Sequence, residues 1–284
     1  MALIGMKEML AKAYNGGYGV GGYDGFDSIS IMAAMECGKE RNAPVLLICA
    51  PAEYGALGAK GVAATARALS EVVGVDACLH LDHSQTFEDV VEAIEGGFNS
   101  VMIDASRFPF EENIAITRKT VEYAHARGIP VEAELGAVGR VDDSTTEGAE
   151  HAVNVYTDPG QAAEFIARTG CDFLAVSIGN AHGLYRSAPK FDFDILTKIR
   201  NATSIPLVLH GGSGTPADQL KKAVALGMAK VNVASEIGRA FTSVYVQAVQ
   251  EKKTWWAVAK KQAKDEMKKV INNWIDMLGS EGKA

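Results

Sequence analysis

Cys78-Leu-His-Leu-Asp-His83, Leu174-Ala-Val-Ser-Ile-Gly-Asn-Ala-His182 and Ile205-Pro-Leu-Val-Leu-His210 are three short apolar runs, each with a histidine at its end or just beyond it. Each reads as a buried β-strand. If the three are neighbours in one parallel barrel, their carboxyl ends share a face and the imidazoles of His83, His182 and His210 converge there. Three imidazoles suit a divalent metal with an open coordination position. One such histidine is more often a hydrogen-bonded core residue; three at equivalent positions favour a metal site.

Working outward from these runs, strand-like and helix-like segments alternate along the whole chain. Strands are predicted over 18–22, 45–49, 76–81, 100–103, 130–134, 173–176, 207–209 and 230–233. Helices are predicted over 28–41, 59–73, 87–95, 111–128, 158–169, 192–200, 217–226 and 236–250. Eight βα units predict an α/β fold, a (β/α)8 TIM barrel with a C-terminal helical extension. A doubly wound open sheet is disfavoured because no GxGxxG follows the first strand. The barrel is assigned to residues 1–253. Residues 254–284, Lys-rich and Trp-containing, are read as a helical appendage of the same domain.

The composition of the 284 residues sets limits on function. They are 48% hydrophobic with a net charge of −7, which argues against a nucleic-acid partner. No apolar stretch reaches membrane-spanning length and no signal pattern opens the chain, so a cytoplasmic protein with no membrane partner is expected. Cys37, Cys49, Cys78 and Cys171 form no CxxC pair and read as reduced thiols.

Other groups aim at the same face. Asp82 either ligates the metal or serves as a general acid/base beside it. His80 shares its strand face and either orients Asp82 or packs inside the barrel. Asp104 and Glu134, ending the fourth and fifth strands, are candidates for orienting the histidines or for an alternative metal position. His210-Gly-Gly-Ser-Gly-Thr-Pro216 and Asn232-Val-Ala-Ser-Glu236 each follow a strand and open a helix, the usual phosphate site of such a barrel.

Leu79-His-Leu-Asp-His83, Ser100-Val-Met-Ile-Asp-Ala-Ser106, Val131-Glu-Ala-Glu-Leu-Gly136, Tyr156-Thr-Asp-Pro159, Ala181-His-Gly183, Pro206-Leu-Val-Leu-His-Gly-Gly-Ser-Gly214 and Lys230-Val-Asn-Val233 together resemble the class II, metal-dependent fructose- and tagatose-bisphosphate aldolases. The resemblance runs from about Tyr14 to about Val249. It implies reversible cleavage of a ketose 1-phosphate or 1,6-bisphosphate to dihydroxyacetone phosphate and an aldehyde. It also implies Zn²⁺ (or Co²⁺ or Mn²⁺) on His83, His182 and His210, polarising the ketone, with Asp82 moving the hydroxyl proton. Gly183, Gly211, Ser213, Asn232, Ala234 and Ser235 match positions that bind the phosphate and hydroxyls of dihydroxyacetone phosphate. A monovalent cation (Na⁺ or K⁺) near those loops, and a homodimer or homotetramer, are further implications.

The chain departs from the family's pattern on the aldehyde side. Tyr23-Asp-Gly-Phe-Asp27 stands where relatives carry a Phe-Asn pair, and Ala50 where they carry a serine. Gly139-Arg-Val-Asp-Asp143 replaces a Gly-Gly-Glu-Glu-Asp-like loop, so the loop acid is expected at Asp142, with Asp24 and Arg140 as aldehyde-side candidates. A rebuilt aldehyde pocket is therefore expected. Two other functions stay open: a Schiff-base aldolase acting through Lys230, and a non-catalytic sugar-phosphate sensor that keeps the metal.

Overall fold

The computed structural model describes residues 3–140, 155–183, 185 and 187–284. Eight parallel strands close a barrel: β1 Val20–Asp24, β2 Leu46–Cys49, β3 Cys78–Leu81, β4 Ser100–Ile103, β5 Val131–Leu135, β6 Phe173–Val176, β7 Leu207–Leu209 and β8 Met228–Val233. They pair in chain order, and Val20–Tyr23 beside Lys230–Val233 closes the ring. This is the expected TIM barrel.

Among the described residues, ten α-helices surround or plug it: α1 Met6–Gly16, α2 Ser28–Arg41, α3 Gly58–Val73, α4 Phe87–Gly96, α5 Phe110–His125, α6 Pro159–Thr169, α7 Phe193–Ala202, α8 Ala217–Ala225, α9 Ser235–Val246 and α10 Trp256–Leu278. Their starts follow local chemistry. Asp27 caps α2 and exchanges bonds with Ser30, and Thr86 and Asp89 form the same box on α4.

Side-chain alternation along the strands separates packing from chemistry. Leu47, Leu79, Leu81, Val101, Ile103, Leu207, Leu209, Val231 and Val233 belong to the large apolar cluster shared with the helices. Val20, Leu46, Ile48, Cys78, Phe173, Ala175 and Val208 form a separate cluster with Met6, Met9, Leu10 and Ala13 of α1. The first helix thus closes the amino end of the barrel.

The first strand differs from its expected position. It runs Val20–Asp24 rather than over 18–22 because α1 ends at Gly17, in the left-handed conformation, and Tyr18 packs with that helix. Asp24 is consequently the last residue of β1. In α10, Ala259, Ala263, Met267, Ile271, Trp274, Ile275 and Leu278 form one buried stripe. Trp274 is fully buried, whereas Trp255 and Trp256 are exposed. No helix among the described residues is long and apolar enough to cross a membrane.

Candidate active site and metal centre

The inward-facing positions of the strands change from apolar to ionisable on approaching the carboxyl end. Above Val20, Leu46 and Cys78 come His80, Glu132 and Lys230, all fully buried. Lys230 Nζ donates to Glu132 Oε2 at 2.8 Å and reaches Asp82 Oδ1 at 3.4 Å. Both oxygens of Asp82 also accept from Asn232 Nδ2, at 3.0 and 2.9 Å. Burial opposes ionisation of Asp82, but Lys230 and His83 overcome it and hold the carboxyl well below its usual range. Glu132 is likewise held at about 2, against burial, by Lys230 and His210. His80 is pushed down to about 3 by burial and by Lys230, so it is neutral; its Nδ1 lies 2.8 Å from Ser100 Oγ.

One ring nitrogen from each of His83, His182 and His210 lies within 4.8 Å of the others. His83 follows β3, where strict alternation would turn it outward. Its φ of +49° redirects the ring into the mouth. His182 lies in a short parallel ladder, Ala181–His182 beside Gly139–Arg140. His210 caps β7 and is fully buried. Burial and His83 lower its pKa, and its Nε2 lies 2.8 Å from Glu132 Oε1. Because Glu132 is ionised and can only accept, Nε2 carries the proton and Nδ1 presents a lone pair. That Nδ1 is buried and has no hydrogen-bond partner, as a metal ligand requires.

Two other clusters have metal-like spacing, His80–Asp82–Glu132 and His83–Asp104–Glu134. In the first, the Lys230 ammonium already occupies the cation's place. Lys230 pairs with two buried carboxylates, which leaves one negative charge in excess beneath the three imidazoles and favours a cation there. The second cluster shares His83. Burial opposes ionisation of Asp104, yet His83 and Ser106 hold it at about 2, while burial and Asp104 push Glu134 up to about 8. The residues present therefore fit a divalent metal on His83, His182 and His210, with Asp104 and Glu134 beside it.

A cavity of about 270 Å³ opens over this centre, lined by Asp24, Glu53, Asp82, Asn232, Ser213 and Ser235 among others. Gly183, Gly211 and Ala234 also line it. Gly211 is required by close approach, since a Cβ there would meet the Ala181 carbonyl oxygen at 1.9 Å. The loop is braced from the C-terminal helix. Trp274 Nε1 donates to Glu236 Oε2 at 2.7 Å, and Glu236 Oε1 accepts from Gly214 N at 2.6 Å. A larger cavity, about 820 Å³, opens at the amino end around Met9, Tyr18 and Pro130, and none of His83, His182 and His210 lines it.

The sequence-predicted residues Asp24, Asp82, His83, His182, Gly183, Gly211, Ser213, Asn232, Ala234 and Ser235 thus meet in one cavity, with His210, Asp104 and Glu134 adjoining. Asp142 lies outside the described residues, and Arg140 is described only as backbone of the short ladder. Lys230 does not line the cavity, and its ammonium is bonded beneath it. Sequence reasoning missed Glu132, Glu53 and the bracing Glu236. Glu132 was legible, because its spacing from Glu134 puts both carboxylates inside the barrel.

Fold and site define a metal-dependent barrel enzyme. A family model described as "Fructose-bisphosphate aldolase class-II" matches residues 4–283. The chain is 40% identical to the fructose-bisphosphate aldolase of Geobacillus stearothermophilus, over 100% of this chain and 99% of the relative. It is 39% identical to the D-tagatose-1,6-bisphosphate aldolase subunit GatY of Klebsiella oxytoca, over 99% of each. Among solved structures it resembles the YdjI aldolase of Escherichia coli K12, with a TM-score of 0.87 and 34% identity over 100% of both chains. The chain belongs to the class II fructose-bisphosphate aldolase family. It is accordingly a carbon–carbon lyase of a metal-dependent class, and the Schiff-base and sensor readings are not favoured.

Proposed function

We propose that the protein reversibly cleaves a ketose 1-phosphate or ketose 1,6-bisphosphate between C3 and C4, releasing dihydroxyacetone phosphate and an aldehyde. His83, His182 and His210 hold the metal, with Zn²⁺ the first choice for three imidazoles and Co²⁺ or Mn²⁺ as replacements. When bound, the ion supplies Lewis acidity toward the C2 carbonyl. Asp82 accepts the C4 hydroxyl proton as the C3–C4 bond breaks, and its electron pair passes toward the C2 carbonyl. Asn232 fixes the orientation of Asp82 through both carboxylate oxygens, and Lys230 keeps it ionised.

The phosphate of the three-carbon unit is assigned to Gly183, Gly211, Ser213, Asn232, Ala234 and Ser235. Support comes from the twelve-residue helix α9, whose amino end opens at Ser235 on the cavity, where a helix N-terminus favours an anion. A Na⁺ or K⁺ ion near these loops, protonation of C3 by Asp142, and a homodimer or homotetramer rest on family resemblance alone. A cytoplasmic location is supported by four buried cysteines, none in a disulfide.

The convergence of the three histidines beside Asp82 carries this reading. The test is release of dihydroxyacetone phosphate from fructose 1,6-bisphosphate, tagatose 1,6-bisphosphate and the corresponding 1-phosphates. It is run on the protein as purified, after chelation, and after added Zn²⁺. Activity lost on chelation and restored by zinc is expected. Activity that survives complete metal removal would overturn it.

A further inference from the structure

We infer that Tyr185 is a positioning residue for the metal centre: its hydroxyl ties the loop after β6 to the loop after β7 and thereby sets the spacing of His182 and His210. The inference rests on the metal-dependent aldolase reading of the site and adds to it a residue outside the ligand set.

Ligands delivered by different βα units must hold their separation before the ion arrives, or the ion has to order them as it binds. Tyr185 Oη accepts from Ala181 N at 2.8 Å and donates to the Gly211 carbonyl oxygen at 2.9 Å. Ala181 immediately precedes His182, and Gly211 immediately follows His210. A hydroxyl suits this place because it accepts and donates through one atom. That atom therefore fixes the backbone beside two ligands that come from neighbouring strands of the barrel.

The same two loops are joined at other points. Asn180 is fully buried, with Oδ1 accepting from Ile178 N and Nδ2 donating to the His210 carbonyl oxygen, both at 2.9 Å. Successive carbonyls, those of His210 and Gly211, are thus both held from the β6 side. Gly211 comes so near the first loop that a Cβ there would meet His182 N at 3.0 Å. The Tyr185 ring has a separate task, since a Cβ on Gly214 would lie 3.3 Å from its Cδ2. Removing the hydroxyl alone leaves that packing in place. It strips Ala181 N of its acceptor and Gly211 O of a donor, and only water or backbone movement can replace them. Either replacement frees His182 to shift against His210.

The experiment compares the parent protein with Tyr185→Phe, and with Ser70→Ala as a control. Ser70 lies in α3, and its buried hydroxyl donates to the Val75 carbonyl oxygen at 2.6 Å. Zinc affinity is measured by competition with a chromophoric chelator, and the visible absorption of the Co²⁺-loaded protein reports the angles between the ligands. Tyr185→Phe should bind zinc ~10–100-fold more weakly, the scale for losing a group that orients metal ligands, and its cobalt bands should shift. If its metal-free form does not stay folded, the zinc-loaded protein is chased with excess chelator, and release should be faster by a similar factor. Ser70→Ala should lose thermal stability while keeping the parent's zinc affinity and cobalt bands. Parent-like zinc binding or parent-like cobalt bands in Tyr185→Phe, or an equal loss of zinc in Ser70→Ala, overturns the inference and leaves the aldolase reading standing. A parent protein that neither holds zinc nor releases dihydroxyacetone phosphate with zinc present overturns both.

Discussion

At the amino end of the barrel, Asp172 has both oxygens engaged. Oδ1 accepts from Lys7 Nζ at 2.7 Å, and Oδ2 lies 2.7 Å from His125 Nε2 and accepts from Val131 N at 2.9 Å. Around it, α1 seals the barrel with Met6 and Leu10, both fully buried. At the carboxyl end, buried polar atoms stand without a hydrogen-bond partner: His210 Nδ1, Glu134 Oε2 and Asn232 Oδ1. Unmet buried polar atoms cost stability unless a ligand satisfies them. The contrast separates an end built for folding from an end built for binding, within a single continuous barrel.

The largest effects are expected where the open end meets its ligand. His210→Ala should lower cleavage by about 10³-fold or more, the scale of losing a principal electrostatic stabiliser. Zinc content should fall with it, and the metal-free protein should also lose stability, because the buried Glu132 Oε1 loses its donor. Full zinc content in this variant would remove His210 from the ligand set. Glu132→Gln tests the tautomer argument. Its amide can donate as well as accept, so the proton on His210 Nε2 is no longer enforced, and metal affinity should drop ~10–100-fold. Competition with a fluorescent zinc chelator would measure this, and unchanged affinity would refute the orienting role. Lys230→Met joins the two ends of the comparison, because it leaves Asp82 and Glu132 buried without their cation. A loss of about 3–5 kcal/mol is expected in denaturant unfolding of the metal-free protein, together with loss of activity.

Much of this contrast was legible before any coordinates. His83, His182 and His210 ended apolar runs, and period-two alternation placed His80 and Asp82 on one face. What pattern could not carry was three-dimensional bracing. Glu236 reads as an ordinary first-turn acid of α9, yet it ties Trp274 to Gly214 in the loop after β7. Glu53 sits in a short turn with no periodic signal, and only the fold brings it to the cavity wall that Asp24 also lines. The apolar spacing Met6, Met9, Leu10, Ala13 did carry a helical period, but α1 precedes the first βα unit and falls outside the repeat that organised the rest. The loop with Arg140 and Asp142 was legible only as resemblance.

The closed end gives the smaller effects, and they should appear in stability alone. Leu10→Ala removes a fully buried side chain of the plug and should cost about 2–5 kcal/mol with kcat and KM unchanged. Asp172→Asn should cost less, about 1 kcal/mol, because Lys7 and His125 reach it from solvent and are screened. Its pH dependence makes the sharper test. Burial opposes ionisation of Asp172, but Lys7 and Val131 N hold its pKa below the ordinary value. A carboxyl lowered on folding adds stability that is fully present above its unfolded pKa, about 3.9. That stability is lost as pH falls through the folded value. The gap in unfolding free energy between the parent protein and Asp172→Asn should therefore be flat from pH 6 to 8 and shrink in acid. Denaturant melts of both proteins at pH 7 and near pH 3.5 would decide it. A gap that widens in acid would mean that Asp172 is held there as the neutral acid, and that the amino end, like the carboxyl end, keeps a polar group in an unfavourable state.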